Sequence, residues 1–287
     1  SELIYMKSYF DCIPCFFRQT LAAARLAGAD EETQRELLNR LAEKLPDFPL
    51  TATPPEMGRW IYGIVRRRLG NDPFGEIKSE SNRAALEIYP ELKNRIVRSP
   101  DPLRTAVRLA IAGNIIDYGT PGEFDLRAEV EKVLKEERGT FQFDAFKTAL
   151  GESSRILYLC DNAGEIVFDR ILIEEILKTF SLKITAAVRG EAVINDATLT
   201  DAEMAGLTEV CPVIGNGNDA PGTILPFCSE EFRKIYDEAD LVISKGQGNF
   251  ETLWGEDKPI FFLFKIKCGV VGRHVGGEIG DTVLLCS

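Results

Sequence analysis

The hydrophobic period of this chain changes once, near Gly151, and that change constrains the fold more than any other feature. Before it, Phe16 to Leu26, Glu31 to Leu45, Glu56 to Leu69, Glu76 to Tyr89, Pro102 to Ile116, Leu126 to Glu137 and Phe141 to Leu150 carry helical spacing. Pro and Gly separate these segments. After it, Ile156 to Leu159, Lys183 to Val188, Glu209 to Ile214, Leu241 to Ser244, Ile260 to Phe264 and Thr282 to Leu285 read as strands. Amphipathic stretches at Ile166 to Phe180, Leu199 to Ala205 and Glu230 to Ala239 fall between them. Strand alternating with helix means parallel βαβ units. The expected fold class is α/β: a three-layer, Rossmann-like, mostly parallel sheet domain over residues 151–287, preceded by an all-helical cap domain over residues 1–150.

Charge narrows the function. A formal net charge of −11 argues against nucleic acid or an anionic membrane as the partner, because phosphate backbones demand basic patches. No apolar run approaches the roughly 20 residues of a membrane span; Pro259 to Phe264 is strand-sized and stops at Lys265. The opening residues, Ser1 to Tyr9, lack the organisation of a signal peptide, which points to the cytoplasm. Seven cysteines are an odd number, several in apolar runs, so free thiols are expected rather than a disulfide framework. A small metabolite is the partner that remains; the oligomeric state is not legible.

The strand ends carry the chemistry. The first expected strand stops at the polar pair Asp161-Asn162, followed by Ala163, Gly164 and Glu165. Such a turn either caps the next helix or presents hard oxygen ligands to a divalent cation at the carboxyl edge of the sheet. Asn195-Asp196 follows the second strand and is open to the same two readings. The run Lys245-Gly246-Gln247-Gly248-Asn249-Phe250-Glu251 follows Leu241 to Ser244; its glycines let backbone N–H groups approach an anion, and Lys245 offers a point charge. It lacks the spacing of a Walker loop. Gly215 to Thr223 is a further polar loop that shapes a pocket or merely connects. In the helical half, Asn114 and Asp117 project from one face at i, i+3 and either bind substrate or mark a helix end. Cys12 and Cys15 have the spacing of a redox pair or half a zinc site, or are buried thiols; Cys268 is the distant thiol that could complete a site. His274, the single histidine, lies in a glycine-rich stretch and gives little support for a base.

Taken in order, Cys12 to Cys15, Gly113 to Asp117, Asp161 to Glu165, Asn195 to Thr198 and Lys245 to Glu251 resemble the damage-control phosphatase family once called domain of unknown function 89, in its Cys-x-x-Cys-containing prokaryotic branch. The likeness spans essentially the whole chain. It implies a metal-dependent phosphatase acting on phosphomonoesters of small metabolites such as sugar phosphates, including damaged ones. Asp161, Asn162 and Asp196 match the family's ligands for a divalent ion (manganese, magnesium, cobalt or nickel). Asp161, Asp196 and Lys245 are the implied catalytic groups, Lys245 as the phosphate-binding lysine. Asn114, Asp117, Gly164, Glu165, Asn195, Gly246, Gln247 and Asn249 are the implied substrate contacts. Aspartyl-phosphate formation would resemble phosphatases with a second Asp two residues on, and Ala163 stands there, so metal-activated water is favoured. Two other readings remain: a nucleotide- or S-adenosylmethionine-dependent transferase, for which the first turn has too few glycines, and a non-catalytic metal- or metabolite-binding protein.

Overall fold

A computed structural model of the chain describes residues 6–70, 72, 74–113, 126–135 and 138–287. Its first half supplies α1 (Cys12–Leu26), α2 (Glu31–Lys44), α3 (Pro54–Leu69), α4 (Gly75–Val97), α5 (Pro102–Gly113), α6 (Leu126–Lys135) and α7 (Phe143–Glu152). Local chemistry sets the starts: Asp30 accepts the Thr33 N–H, Thr53 and Glu56 form a capping box, and Pro54 and Pro55 occupy positions where a missing N–H costs nothing. Pro90, expected to end a helix, lies inside α4. One backbone bond is lost there, and burial of Leu92 and Ile96 carries the helix on. Gly139–Phe141, at the start of a stretch with helical spacing, is strand β1, too short to show a period of its own.

The second half alternates as expected: β2 (Arg155–Leu159), α8 (Glu165–Thr179), β3 (Lys183–Val188), α9 (Leu199–Met204), β4 (Val213–Gly215), α10 (Glu230–Glu238), β5 (Leu241–Lys245), α11 (Gln247–Leu253), β6 (Ile260–Lys265), α12 (Gly269–Val275) and β7 (Thr282–Cys286). α11 and α12 are seven-residue helices inside glycine-bearing runs that read as a turn and a loop. Among the described residues the strands form one seven-stranded sheet in the order β1-β7-β6-β5-β2-β3-β4. Every pairing is parallel except β6 with β7.

Alternate strand residues enter opposite cores, as the pleat requires: Ile156, Tyr158 and Cys160 join one, Leu157 and Leu159 the other. Residues of α4 to α9 close the first face, and residues of α1 to α3 with α10 to α12 close the second. The helices of the first half are therefore divided between both outer layers. The reason is the sheet itself, which is apolar on both sides and must be covered on both.

This order positions the site. From β2 the chain runs outward to β3 and β4 on one side and to β5 and β6 on the other. The carboxyl ends of β2 and β5 flank the switch point, where open α/β sheets form their crevice.

Candidate functional site

The loops leaving β2 and β3 are stitched together. Asn162 and Asp196 form an antiparallel bridge, the Ala197 N–H donates to the Asp161 carbonyl at 2.8 Å, and the Ala163 N–H donates to the Asn195 carbonyl at 2.8 Å. Ile194, just before, has φ 43°, a left-handed conformation rare for a β-branched residue. The folded-back loop brings Asp161, Asn162, Asn195 and Asp196 to one pocket of about 310 Å³. Gln19, Pro54, Pro55, Tyr62, Gln247 and Lys267 are also on its lining. The capping role that Asp196 could have filled belongs to Thr198, which pairs with Asp201 at the start of α9.

Arg189, directly after β3 and only 2% exposed, lies against this floor. Its Nε donates to Asp196 Oδ2 at 2.5 Å, its Nη2 to Asp161 Oδ1 at 3.2 Å and its Nη1 to Asn249 Oδ1 at 3.1 Å. Burial pushes the Asp161 carboxyl well above the usual carboxylate range, and the neighbouring Asp196 and Glu165 add to the rise. Burial also raises Asp196, with Arg189 opposing it. The two buried carboxyl groups share one guanidinium, and a bound cation would offset the cost of ionising both. Asn162 adds a neutral oxygen: its Nδ2 donates to Asp161 Oδ2 at 2.8 Å and Glu165 Oε2 at 2.9 Å, which leaves Oδ1 as its acceptor. The donor set is all hard oxygen and fits a divalent cation of the magnesium or manganese kind. Among the described residues no three His, Cys, Asp or Glu side chains are arranged to hold a metal ion, and a set of three oxygen donors here would have to include the Asn162 carboxamide. Cys12, Cys15 and Cys268 are free thiols and form no such group.

Lys245 is elsewhere. It is fully buried, and its Nζ donates to the Ala110 carbonyl at 2.9 Å, Glu165 Oε1 at 2.6 Å and Asp169 Oδ1 at 2.6 Å. An ammonium has three protons, and all three are spent inside the protein. Tyr158 donates its hydroxyl to the same Asp169 oxygen at 2.8 Å, and burial lifts the Asp169 carboxyl to about 6 despite Lys245. The geometry thus gives Lys245 a buried ion cluster between α5, α8 and β5 instead of a place on the pocket wall.

The other expected substrate contacts divide. Asn195 and Gln247 line the pocket, and the buried Asn195 Nδ2 has no hydrogen-bond partner among the described residues. Glu165 and Asn249 lie behind the floor: Glu165 carries Lys245 and Asn162, while Asn249 accepts from Arg189 and from Thr223 Oγ1 at 2.8 Å. The Gly164 N–H is spent on Asn82 Oδ1 at 2.7 Å. Gly246, at φ 81°, passes so close that a Cβ there would overlap the Asp161 carboxylate. Asn114 and Asp117 lie outside the described residues.

Sequence reasoning missed three charged residues. Arg189 and Lys267 follow β3 and β6 at the carboxyl edge, which is the signal that selected Asp161, and the same test would have found them. Lys267 opposes the rise in both Asp161 and Asp196, so its charge acts on the whole floor. Glu251, on α11, lines the wall. His274 packs against the rings of Phe250 and Trp254, and burial lowers its pKa. A larger groove of about 1060 Å³ between α4, α5 and α6 holds none of the oxygen donors.

The Damage-control phosphatase ARMT1-like domain matches residues 9–283 of the chain. The uncharacterized protein MJ0202 of Methanocaldococcus jannaschii is 37% identical, with 96% of this chain and 94% of the relative covered. A damage-control phosphatase of Archaeoglobus fulgidus is 36% identical, over 95% of this chain and 96% of the relative. The crystal structure of a DUF89 family protein, PH1575 of Pyrococcus horikoshii, superimposes with a TM-score of 0.90 at 33% identity, covering 98% of this chain and 99% of that one.

Proposed function

Because the chain belongs to the damage-control phosphatase ARMT1-like family, we propose that it is a metal-dependent phosphatase hydrolysing phosphomonoesters of small metabolites, working in the cytoplasm where its thiols stay reduced. The observation that carries this reading is the pair Asp161 and Asp196, held on one guanidinium at the floor of a pocket that also has Lys267 on its lining. Asp161, Asn162 and Asp196 would hold the divalent ion (manganese, magnesium, cobalt or nickel), which when bound supplies positive charge against the phosphoryl oxygens.

The chain's own groups do the rest. Lys267 adds a fixed cation for the phosphate, a task that Lys245 is too enclosed to perform. The Asn195 Nδ2, without a partner among the described residues, offers a proton to a phosphate oxygen. Arg189 fixes the orientation of both carboxylates, and Lys245 fixes Glu165, which in turn orients the Asn162 carboxamide. Water is the nucleophile, since both floor carboxylates are engaged by Arg189 and the residue two beyond Asp161 is Ala163.

The test is phosphate release from a panel of sugar phosphates by chelator-stripped protein, with and without added magnesium or manganese. Metal should restore turnover, and Asp161→Ala or Asp196→Ala should lower it by at least about 10²-fold, the scale of a lost electrostatic contact in a transition state. Turnover indifferent to chelation and to both substitutions would remove these residues from the reaction.

A further inference from the structure

We propose that Glu251 is the proton donor to the departing alcohol, an assignment that rests on the phosphatase reading above. A sugar phosphate leaves as an alkoxide unless its ester oxygen is protonated, so such a reaction calls for an acid on the wall of the pocket. Among the described residues three carboxyl groups line it: Asp161, Asp196 and Glu251. The first two hold Arg189 and carry the proposed cation. Glu165 and Asp169 are bound to Lys245 outside the lining, and His274 stands among Phe250 and Trp254. By position, Glu251 is the acid that remains among the described residues.

Its neighbours orient it. Gln247, one turn earlier on α11, accepts the Lys267 N–H on Oε1 at 2.9 Å, which fixes the carboxamide so that Nε2 donates to Glu251 Oε1 at 3.0 Å. With Oε1 occupied as an acceptor, Oε2 is left to carry the proton. Burial pushes this carboxyl up to about 7, against the pull of Gln247 and Lys267. The groups facing it are Lys267 after β6, Cys12 on α1, Tyr62 on α3, Cys268 through the shared Gln247, and Asp161 and Asp196 on the floor.

In the step, the water oxygen bonds to phosphorus as the ester P–O bond breaks, and the Glu251 proton passes to the ester oxygen to give the alcohol. Of the two protons brought in by the water, one stays on the phosphate and the other passes to the Glu251 carboxylate, so the net change is ester plus water to alcohol plus hydrogen phosphate.

The experiment compares wild type with Glu251→Gln on a sugar phosphate and on 4-nitrophenyl phosphate, whose leaving group departs without a proton. In the variant, kcat for the sugar phosphate should fall by about 10²–10⁴-fold, and that for the aryl ester by less than about 10-fold, the retained aryl turnover also reporting an intact fold. Wild-type turnover of the sugar phosphate should decline as pH rises through about 7, where the acid form is lost; that limb should be absent in Glu251→Gln and present in Glu251→Asp. Equal losses on both esters, or no loss on either, with Glu251→Asp behaving the same way, overturn the assignment while the phosphatase stands. Wild type inert toward both esters overturns the phosphatase and the assignment together.

Discussion

Two lysines near the carboxyl edge of the sheet stand in different surroundings: Lys245 in a buried ion cluster, Lys267 on the pocket lining. Lys245 sits beside glycines, as a phosphate-binding lysine should, and the structure turns it inward. Strand parity explains this: Leu241 and Ile243 enter the core under α5 and α8, and Lys245, two residues further on, follows them. Lys267 lies two residues past the end of β6, where the pleat no longer dictates direction, and it reaches the pocket. Lys245→Met should therefore cost about 3–5 kcal/mol of stability, because it leaves Glu165 and Asp169 as uncompensated buried carboxylates. Urea denaturation measures this, and a change below about 1 kcal/mol would refute the buried-cluster role. Lys267→Ala should instead raise KM for charged esters while shifting stability by no more than about 0.5 kcal/mol; steady-state kinetics beside a melting curve separates the two.

At the scale of elements, the long segments were legible and the short ones were not. α8, β2, β3 and β5 are periodic over enough residues to declare themselves, and the structure places them within a residue or so of expectation. β1, α11 and α12 are too short for any period, and the continuation of α4 through Pro90 depends on burial that only packing supplies. The joining of the β2 and β3 loops through Asn162 and Asp196 is a pairing between residues far apart in the chain, and nothing local encodes it. The turn between β5 and α11 closes against the Asp161 carboxylate at Gly246, where positive φ and that carboxylate both exclude a side chain. Gly246→Ala should cost about 1–3 kcal/mol and weaken binding of manganese. Calorimetric titration with manganese reads the second effect, and unchanged affinity would show that the turn and the floor are not coupled.

For the whole molecule, the change of period near Gly151 marks where regular alternation of strand and helix begins and says nothing about where the core divides. Each of the two cores contains residues from both halves: Leu109 and Phe146 pack with Ile171 in one, and Phe16 and Ile61 with Phe262 in the other. A fragment covering residues 151–287 would expose both faces of its sheet, so it should not fold alone. Full-length protein should unfold in a single transition by circular dichroism and by tryptophan fluorescence. A soluble, cooperatively melting fragment would show that the sheet does not need the earlier helices.

By itself the sequence determined the fold class and the resemblance to one phosphatase family, and it pointed to Asp161, Asn162 and Asp196 as oxygen-bearing side chains in the loops after the first two expected strands, because periodicity and strand termini are local and written in consecutive residues. Only the tertiary structure decided that Arg189 stands under both carboxylates, that Lys245 faces inward, and that Lys267 and Glu251 share the pocket wall. Those facts depend on which strand lies beside which and on which way each loop folds back, and they are settled by burying both faces of the sheet at once.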